Sequence, residues 1–322
     1  MLAYVLRKIL LAIPLVWGVL TLTFLLIEAA PGDATDHFVN PETPPEVREL
    51  IMKKWGLDQP AYVRYVKMMG NLATGDFGRS IAQERPVFDI IKEALPITLM
   101  LSSVDLVVLL TVGMTLGVLQ AVRQYSAVDN ALSMGSLFFY SMPEFWLALM
   151  LMLVFGVKLA ILPVSGIVDP MFHDSMTWWE QIGDRARHIV LPGVALGVAQ
   201  SAATARYMRS SVLEVIRQDY IRTAQAKGLR ESVVIVKHAL RNALLPIITI
   251  VALSMPYLFS GSVLVEIIFA WPGMGRLIYG AILNQDTPLV LACFFVYAIL
   301  IVCANLVADI LYAVADPRIR YS

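Results

Sequence analysis

Two carboxylic acids stand deep inside otherwise uncharged apolar runs: Asp105 in Ala94–Val122 and Glu144 in Ala131–Val157. A charge in such surroundings is costly, and acids placed there hold ions, pass protons or bond to polar neighbours. A relay needs several acids and a basic partner at similar depth. Only these two acids are deep, and no Lys or Arg accompanies them. The expected role of each is therefore a hydrogen bond across a helical bundle, with an ion-coupling pair as the rival. Glu266 and Asp309 fall near the ends of apolar runs, within reach of water. His37, His173, His188 and His238 are scattered singly, a pattern that does not suit a metal centre. No Gly-Lys dipeptide occurs, so a phosphate-cradling loop is missing, and there is no H-E-x-x-H, Cys/His cluster or G-x-S-x-G elbow. The chain has no means of hydrolysing ATP by itself and reads as a non-enzyme.

The elements that must hold these residues follow from composition. A chain of 322 residues would ordinarily make two soluble domains of roughly 150 residues each. Apolar residues are 58% of this one, against about 45–50% in soluble domains. Charged residues are only 16% and the mean hydropathy is +0.70. Lipid must therefore be the solvent for much of the chain. Lys+Arg and Asp+Glu are both 25, so no global charge points to nucleic acid. A crossing helix needs about 20 apolar residues. Six segments fit: Ile9–Ile27, Ala94–Val122, Ala131–Val157, Ile189–Ala205, Asn242–Val265 and Thr287–Ala308. The fourth is short and rich in Ala and Gly, which suits close packing against other helices. The first is too long for a cleaved secretory signal and reads as a retained anchor. Cys293 and Cys303, about 15 Å apart on one helix, cannot pair and read as buried thiols.

Orientation follows from basic residues near short loops. Arg7 and Lys8, Arg123, a dense set from Arg206 to Arg241, and Arg318 with Arg320 fall on one side and place both termini inside. The dense set has eight Lys/Arg (206, 209, 217, 222, 227, 230, 237 and 241) against Glu214, Asp219 and Glu231. The segment from Pro31 to Glu93 is external. Within it, Pro44-Pro45-Glu46 starts an amphipathic helix stopped by Gly56, and a second helix covers Tyr62–Leu72. Trp178-Trp179 suits an interfacial position in a second outer loop. On the inner side Leu213, Ile216, Tyr220 and Ala224 mark one helix face that ends at Lys227-Gly228, and a further helical stretch covers Ser232–Leu240. That is either a surface built to touch a partner or a solvated basic loop.

Arg222-Thr223-Ala224-Gln225-Ala226-Lys227-Gly228-Leu229, followed by His238-Ala239-Leu240-Arg241-Asn242-Ala243-Leu244-Leu245-Pro246, resembles the coupling loop of ABC-importer permeases. More narrowly it is similar to their dipeptide/oligopeptide/nickel branch. The general pattern is Glu-Ala-Ala, three residues, Gly, nine residues, then Ile-x-Leu-Pro. Aligned on Gly228, this chain has Arg222, Thr223 and Ala224 at the triplet, and His238, Leu240 and Arg241 at the end. Those departures are ones associated with the peptide branch. Leu6-Arg7-Lys8, Pro31-Gly32-Asp33, Gly56-Leu57-Asp58-Gln59-Pro60, Gly75-Asp76-Phe77-Gly78, Pro143-Glu144-Phe145-Trp146-Leu147, Phe269-Ala270-Trp271-Pro272-Gly273-Met274-Gly275 and Asp316-Pro317-Arg318-Ile319-Arg320 extend the likeness almost end to end.

The resemblance implies an all-α, six-span permease of type I importer architecture, the first of a pair, in a bacterial inner membrane. Its expected parts are a tail and first span (1–30), an external segment (31–93) and a core (94–322) containing the coupling loop 212–241. The implied partners are a homologous second permease, two ATPase subunits that hold ATP and Mg, an extracytoplasmic binding protein and membrane lipid, with no nucleic acid. This chain itself would hold no cofactor. The ATPase contact would involve Tyr220, Arg222, Thr223, Ala224, Ala226, Lys227, Gly228, Leu229, His238, Leu240 and Arg241, centred on Ala224 and Gly228. Peptides are the expected cargo, with nickel chelates, glutathione or oligosaccharides as alternatives. A secondary transporter coupled through Asp105 and Glu144, or a membrane scaffold, would be rivals of another class.

Overall fold

The computed structural model describes residues 2–30, 44–244, 247 and 263–315. Most of the expected fifth span lies outside them, as do Pro31-Gly32-Asp33 and the Asp316–Arg320 stretch. Among the described residues the regular structure is helical, apart from one isolated bridge between Arg79 and Pro86. Among the described residues four helical stretches are long and apolar enough to cross a membrane: Leu6–Ala29, Val87–Val122, Trp178–Ile216 and Thr287–Asp309. A broken pair, Ala127–Ser141 and Glu144–Lys158, bent by 103°, is long and apolar enough only when its two helices are taken together. The break falls at Met142-Pro143, where Met142 is extended and Pro143 has no N–H to continue the ladder.

The helices are α1 (Leu2–Ala29), α2 (Pro45–Trp55), α3 (Ala61–Ala73), α4 (Val87–Val122), α5 (Ala127–Ser141) and α6 (Glu144–Leu151), which runs on as a wide π turn over Met152–Lys158. Then come α7 (Trp178–Ile216), α8 (Asp219–Ala226), α9 (Glu231–Val233) with a π continuation to Ala239, α10 (Val263–Ile268), α11 (Met274–Leu283) and α12 (Thr287–Ala315). The chain divides into two compact units, 1–98 with 272–303, and 99–271 with 304–322.

In the first unit the Pro-started helix and its glycine stop form as expected. Pro45 opens α2, and Gly56 at φ +67° closes it, with Leu57 N–H donating to Met52 O at 2.9 Å. The α3 helix lies against α1, with Tyr65 edge-on to Phe24 at 5.4 Å and its hydroxyl 2.7 Å from Thr21 Oγ1. The core holds Leu20, Phe24, Met69, Leu72, Ile90, Met274 and the Leu289–Cys293 run. Buried Asp286 accepts from Ser80 Oγ, from Ala82 N at 3.1 Å and from Leu289 N at 3.3 Å, which ties the turn before α4 to the start of α12. Cys293 is buried as expected, but Cys303 is exposed.

The second unit is organised by α7. This helix has 39 residues, about 58 Å at 1.5 Å per residue, far longer than the short span the sequence suggests. A capping box joins Thr177 and Glu180 at its start. Hydropathy marks where lipid begins and ends, whereas helix continues through the polar turns on either side. The α4 and α7 helices meet through glycines on both. A Cβ at Gly113 would fall 2.7 Å from Thr204 Cβ, and one at Gly117 would fall 2.5 Å from Ala205 O. Reciprocally, a Cβ at Gly193 would lie 2.5 Å from Val104 Cγ1, and one at Gly197 would lie 2.5 Å from Val108 Cβ. Residue numbers rise together along the seam, so α4 and α7 run parallel. Farther along, α5 packs on α7 in the opposite sense. Arg209 grips Asp129 through two bonds of 2.8 and 3.2 Å, and Arg206 covers the Tyr140 ring.

The seam makes a direct prediction. Gly117→Val and Gly197→Leu should each lower stability by about 1–3 kcal/mol, the usual cost of overpacking. Gly135→Ala, where a Cβ meets nothing within 4 Å, should be tolerated. Melting of the detergent-extracted protein, followed by size exclusion after heating, separates these cases.

Candidate functional site

The α7 helix does not run on to Gly228. It stops at Ile216, Gln218 turns extended at ψ 149°, and α8 begins at Asp219. The Gln218 carbonyl accepts from Ile221 N at 3.1 Å and from Arg222 N at 3.3 Å, and acidic Asp219 sits in the new first turn, where the helix dipole favours it. The expected single face therefore splits. Ile221 and Ala224 point inward and pack with Val234, Ala239, Val215 and Ile216. Tyr220 points outward, 42% exposed, its hydroxyl accepting from Asn242 Nδ2 at 2.7 Å. Sequence periodicity missed Ile221 because the corner at Arg217–Gln218 resets the helical phase.

After α8, Gly228 takes φ +75° and its N–H donates to Gln225 O at 2.9 Å. A Cβ there would meet nothing within 4 Å, so the backbone conformation, not crowding, favours glycine. Of the expected contact residues, Tyr220, Arg222, Thr223, Ala226, Lys227, Gly228, Leu229 and Arg241 are exposed, while His238 and Leu240 are half-buried. Ala224, only 7% exposed, belongs to the loop's own core. Arg217, Arg222, Lys227, Arg230, Lys237 and Arg241 all reach solvent, giving the loop a basic surface. The loop is moored to α7 and α4 through Ala121, Met208, Val212, Ala243 and Ile247, and by Ser211 Oγ donating to Ala243 O at 2.8 Å.

The deep acids behave differently from expectation. Asp105, on α4 where its carbonyl lies against Gly197, is 6% exposed, and Glu144 opens α6 after the break. Asp105 Oδ1 and Glu144 Oε1 are buried without any hydrogen-bond partner, so the cross-bundle bonds expected of them are not made at these atoms. Glu266 does not reach water: it is 0% exposed, because the chain folds back after α10 and buries Phe269 and Trp271 beside it. Trp271 N donates to Glu266 O at 2.7 Å. Two of the scattered histidines share one carboxylate. His173 Nδ1 lies 2.7 Å and His188 Nδ1 3.1 Å from Asp184, which also accepts from Asp169 N. The Asp184–His188 spacing of four on one helix was the available signal. Among the described residues no group of three or more His, Cys, Asp or Glu is arranged to hold a metal.

Several helices long and apolar enough to span a membrane, a backbone-tight seam and a basic loop on its own small core describe a multi-pass membrane protein. The chain belongs to the family of binding-protein-dependent transport system inner membrane components, the permease subunits of ABC importers. Residues 113–321 match that family and residues 1–102 match its N-terminal part. It is 42% identical to the oligopeptide transport system permease protein AppB of Bacillus subtilis, over the full length of both chains. The di/tripeptide permease DppB of Pseudomonas aeruginosa is 39% identical, covering 100% of this chain and 99% of that one. The glutathione permease GsiC of Escherichia coli K12 is 36% identical over both full lengths. A solved structure of the inward-facing MetNI methionine ABC transporter covers 72% of this chain and 98% of its own, with a TM-score of 0.56 at 18% identity, a likeness of fold.

Truncating the loop core should loosen it locally. Ile221→Ala removes a fully buried side chain, a change that costs about 2–5 kcal/mol in packed cores. Amide exchange across 219–239 should accelerate, with α4 and α5 unaffected. Tyr220→Phe loses one exposed hydrogen bond and should leave the exchange pattern near that of the unmodified protein.

Proposed function

We propose that this permease carries peptides across a bacterial inner membrane as one half of a two-permease pathway. ATP and Mg are held by two separate ATPase subunits, and an extracytoplasmic protein delivers the cargo. The observation that carries the reading is the α8 loop. It is stiffened by Ile221 and Ala224 inside and presents Tyr220, Arg222, Thr223, Lys227 and Leu229 outside. A short helix on a firm base suits insertion into a partner groove. Because α7 leads straight into that loop, movement of the ATPases reaches the membrane helices through it. Peptide as cargo is supported by the full-length relatives, whose names specify oligopeptides, di/tripeptides and glutathione, itself a tripeptide.

Parallel α4 and α7 support a six-span topology, since the broken α5–α6 pair must cross back between them. The dense basic set around α8 then lies in the cytoplasm with both termini. The unpartnered carboxylates favour one competing reading, a secondary transporter coupled to an ion gradient. The two differ in their need for ATP.

Gly228→Trp should place a bulky ring on the exposed loop at a backbone angle that side chains resist. Energised vesicles holding this variant should lose most ATP-dependent peptide uptake while the protein stays in the membrane. Gly228→Asn, which tolerates positive φ, should retain much more. Normal uptake by Gly228→Trp would contradict the coupling role. Uptake driven by a proton or sodium gradient without ATP would favour the ion-coupled reading.

A further inference from the structure

A cavity of about 370 Å³ opens in the first unit where α1 and the start of α12 meet α2 and α3, within the size range of small-molecule sites. Its apolar wall is Phe24, Met68, Leu72, Phe77 and Ile81. Its polar wall is basic, with Lys53, Lys54, Arg64 and Lys67 beside Asn71. Arg64, Lys67 and Asn71 are three and four residues apart on α3 and so share one face. Asp76 is the acid in the lining among the described residues, and its Oδ1 already accepts from Gly78 N at 2.9 Å.

The four bases are not equally engaged. Lys53 pairs with Glu49 at 2.6 Å and Lys54 with Glu84 at 3.0 Å, both on the exposed surface. Arg64 gives Nη2 to Glu28, but its Nε is buried and has no acceptor. Lys67 donates to the neutral oxygen of Gln59 at 2.8 Å, a bond that occupies one of three ammonium hydrogens and leaves the charge uncompensated by that partner. A buried donor left open costs stability, and in native structures such an atom calls for an explanation. An anion seated against Arg64 and Lys67 supplies one, through charge-assisted bonds of the kind these side chains make to phosphate.

The surroundings fix the source of that anion. The cavity lies at the Glu28 end of α1 and at the start of α12, both helices long and apolar enough to span a membrane. Trp55 lines it, with Lys54 Nζ 5.3 Å from the centre of its ring. Trp and Tyr rings gather at the level of lipid headgroups. Leu22, Leu25 and Leu26 of α1 are more than half exposed, a surface for acyl chains next to the basic wall. A dissolved anion would make no use of the apolar wall, whereas a lipid uses both.

We propose that this cavity seats the headgroup of an anionic phospholipid from the leaflet on which α2 and α3 lie, with its phosphate on Arg64 Nε and Lys67 Nζ. The lipid would fasten α3 to α1 and α12, independently of what cargo the chain carries.

Titration of the full-length chain in mild detergent with phosphatidylglycerol or phosphatidylethanolamine, with bound lipid counted by native mass spectrometry, tests the assignment. The unmodified chain should prefer phosphatidylglycerol by roughly tenfold, as expected from one to two bases near a headgroup. Lys67→Gln, at an exposed position, should lower phosphatidylglycerol affinity about fivefold. Arg64→Lys, which keeps the charge and loses the Nε donor, should lower it by a similar factor. Lys92→Gln removes the same charge from an exposed position outside the cavity and should leave it unchanged. Phosphatidylethanolamine binding should move in none of the three. Equal affinity for the two lipids would overturn the proposal, as would equal losses from Lys67→Gln and Lys92→Gln. Displacement of phosphatidylglycerol by inorganic phosphate would overturn it too, by marking a small-anion site.

Discussion

The contact on which the rest of this molecule depends is the approach of α4 and α7 to backbone distance. Within lipid there is little hydrophobic gain in bringing two apolar helices together, and association rests on van der Waals fit and hydrogen bonds. Gly113 and Gly117 on α4, with Gly193 and Gly197 on α7, supply that fit from both sides, each pair four residues apart and hence on one helix face. A methyl group at any of the four would lie closer than van der Waals contact to its neighbour. The seam therefore leaves no room for a side chain between α4 and α7 at these positions. Since α7 continues to the edge of the α8 loop, and Asp105 lies on the same seam, the exposed loop and the buried acid are joined through one packed interface.

Electrostatics divides the molecule into settled and open charges. The Arg209–Asp129 fork fastens α7 to α5, and Asp286 fastens a turn to α12, each with several donors on one buried carboxylate. Those arrangements hold structure. The exposed bases around α8 and the unpartnered oxygens of Asp105 and Glu144 are not consumed by the fold.

Much of this architecture was legible in the sequence because it is written in local signals. Apolar length marked four long helices and the broken pair, Pro143 marked the break, Pro45 and Gly56 bounded α2, and Gly228 marked the positive-φ stop. What was not legible depends on contacts between distant residues. Nothing local says that Gly117 faces Ala205, that His173 and His188 share Asp184, or that Glu266 is buried rather than near water. The extent of α7 was underestimated because hydropathy reports the lipid boundary, not the helix end. The inward turn of Ile221 was hidden by the corner at Gln218, after which the periodicity of α7 no longer applies.

On the importer reading proposed above, partner subunits supply ATP-driven motion and this chain transmits it. Extraction from the native membrane in mild detergent, followed by mass spectrometry of everything that stays bound, tests it most directly. A second permease of the same family together with ATPase subunits is the predicted result. A chain that purifies alone and transports in liposomes without ATP would contradict the account.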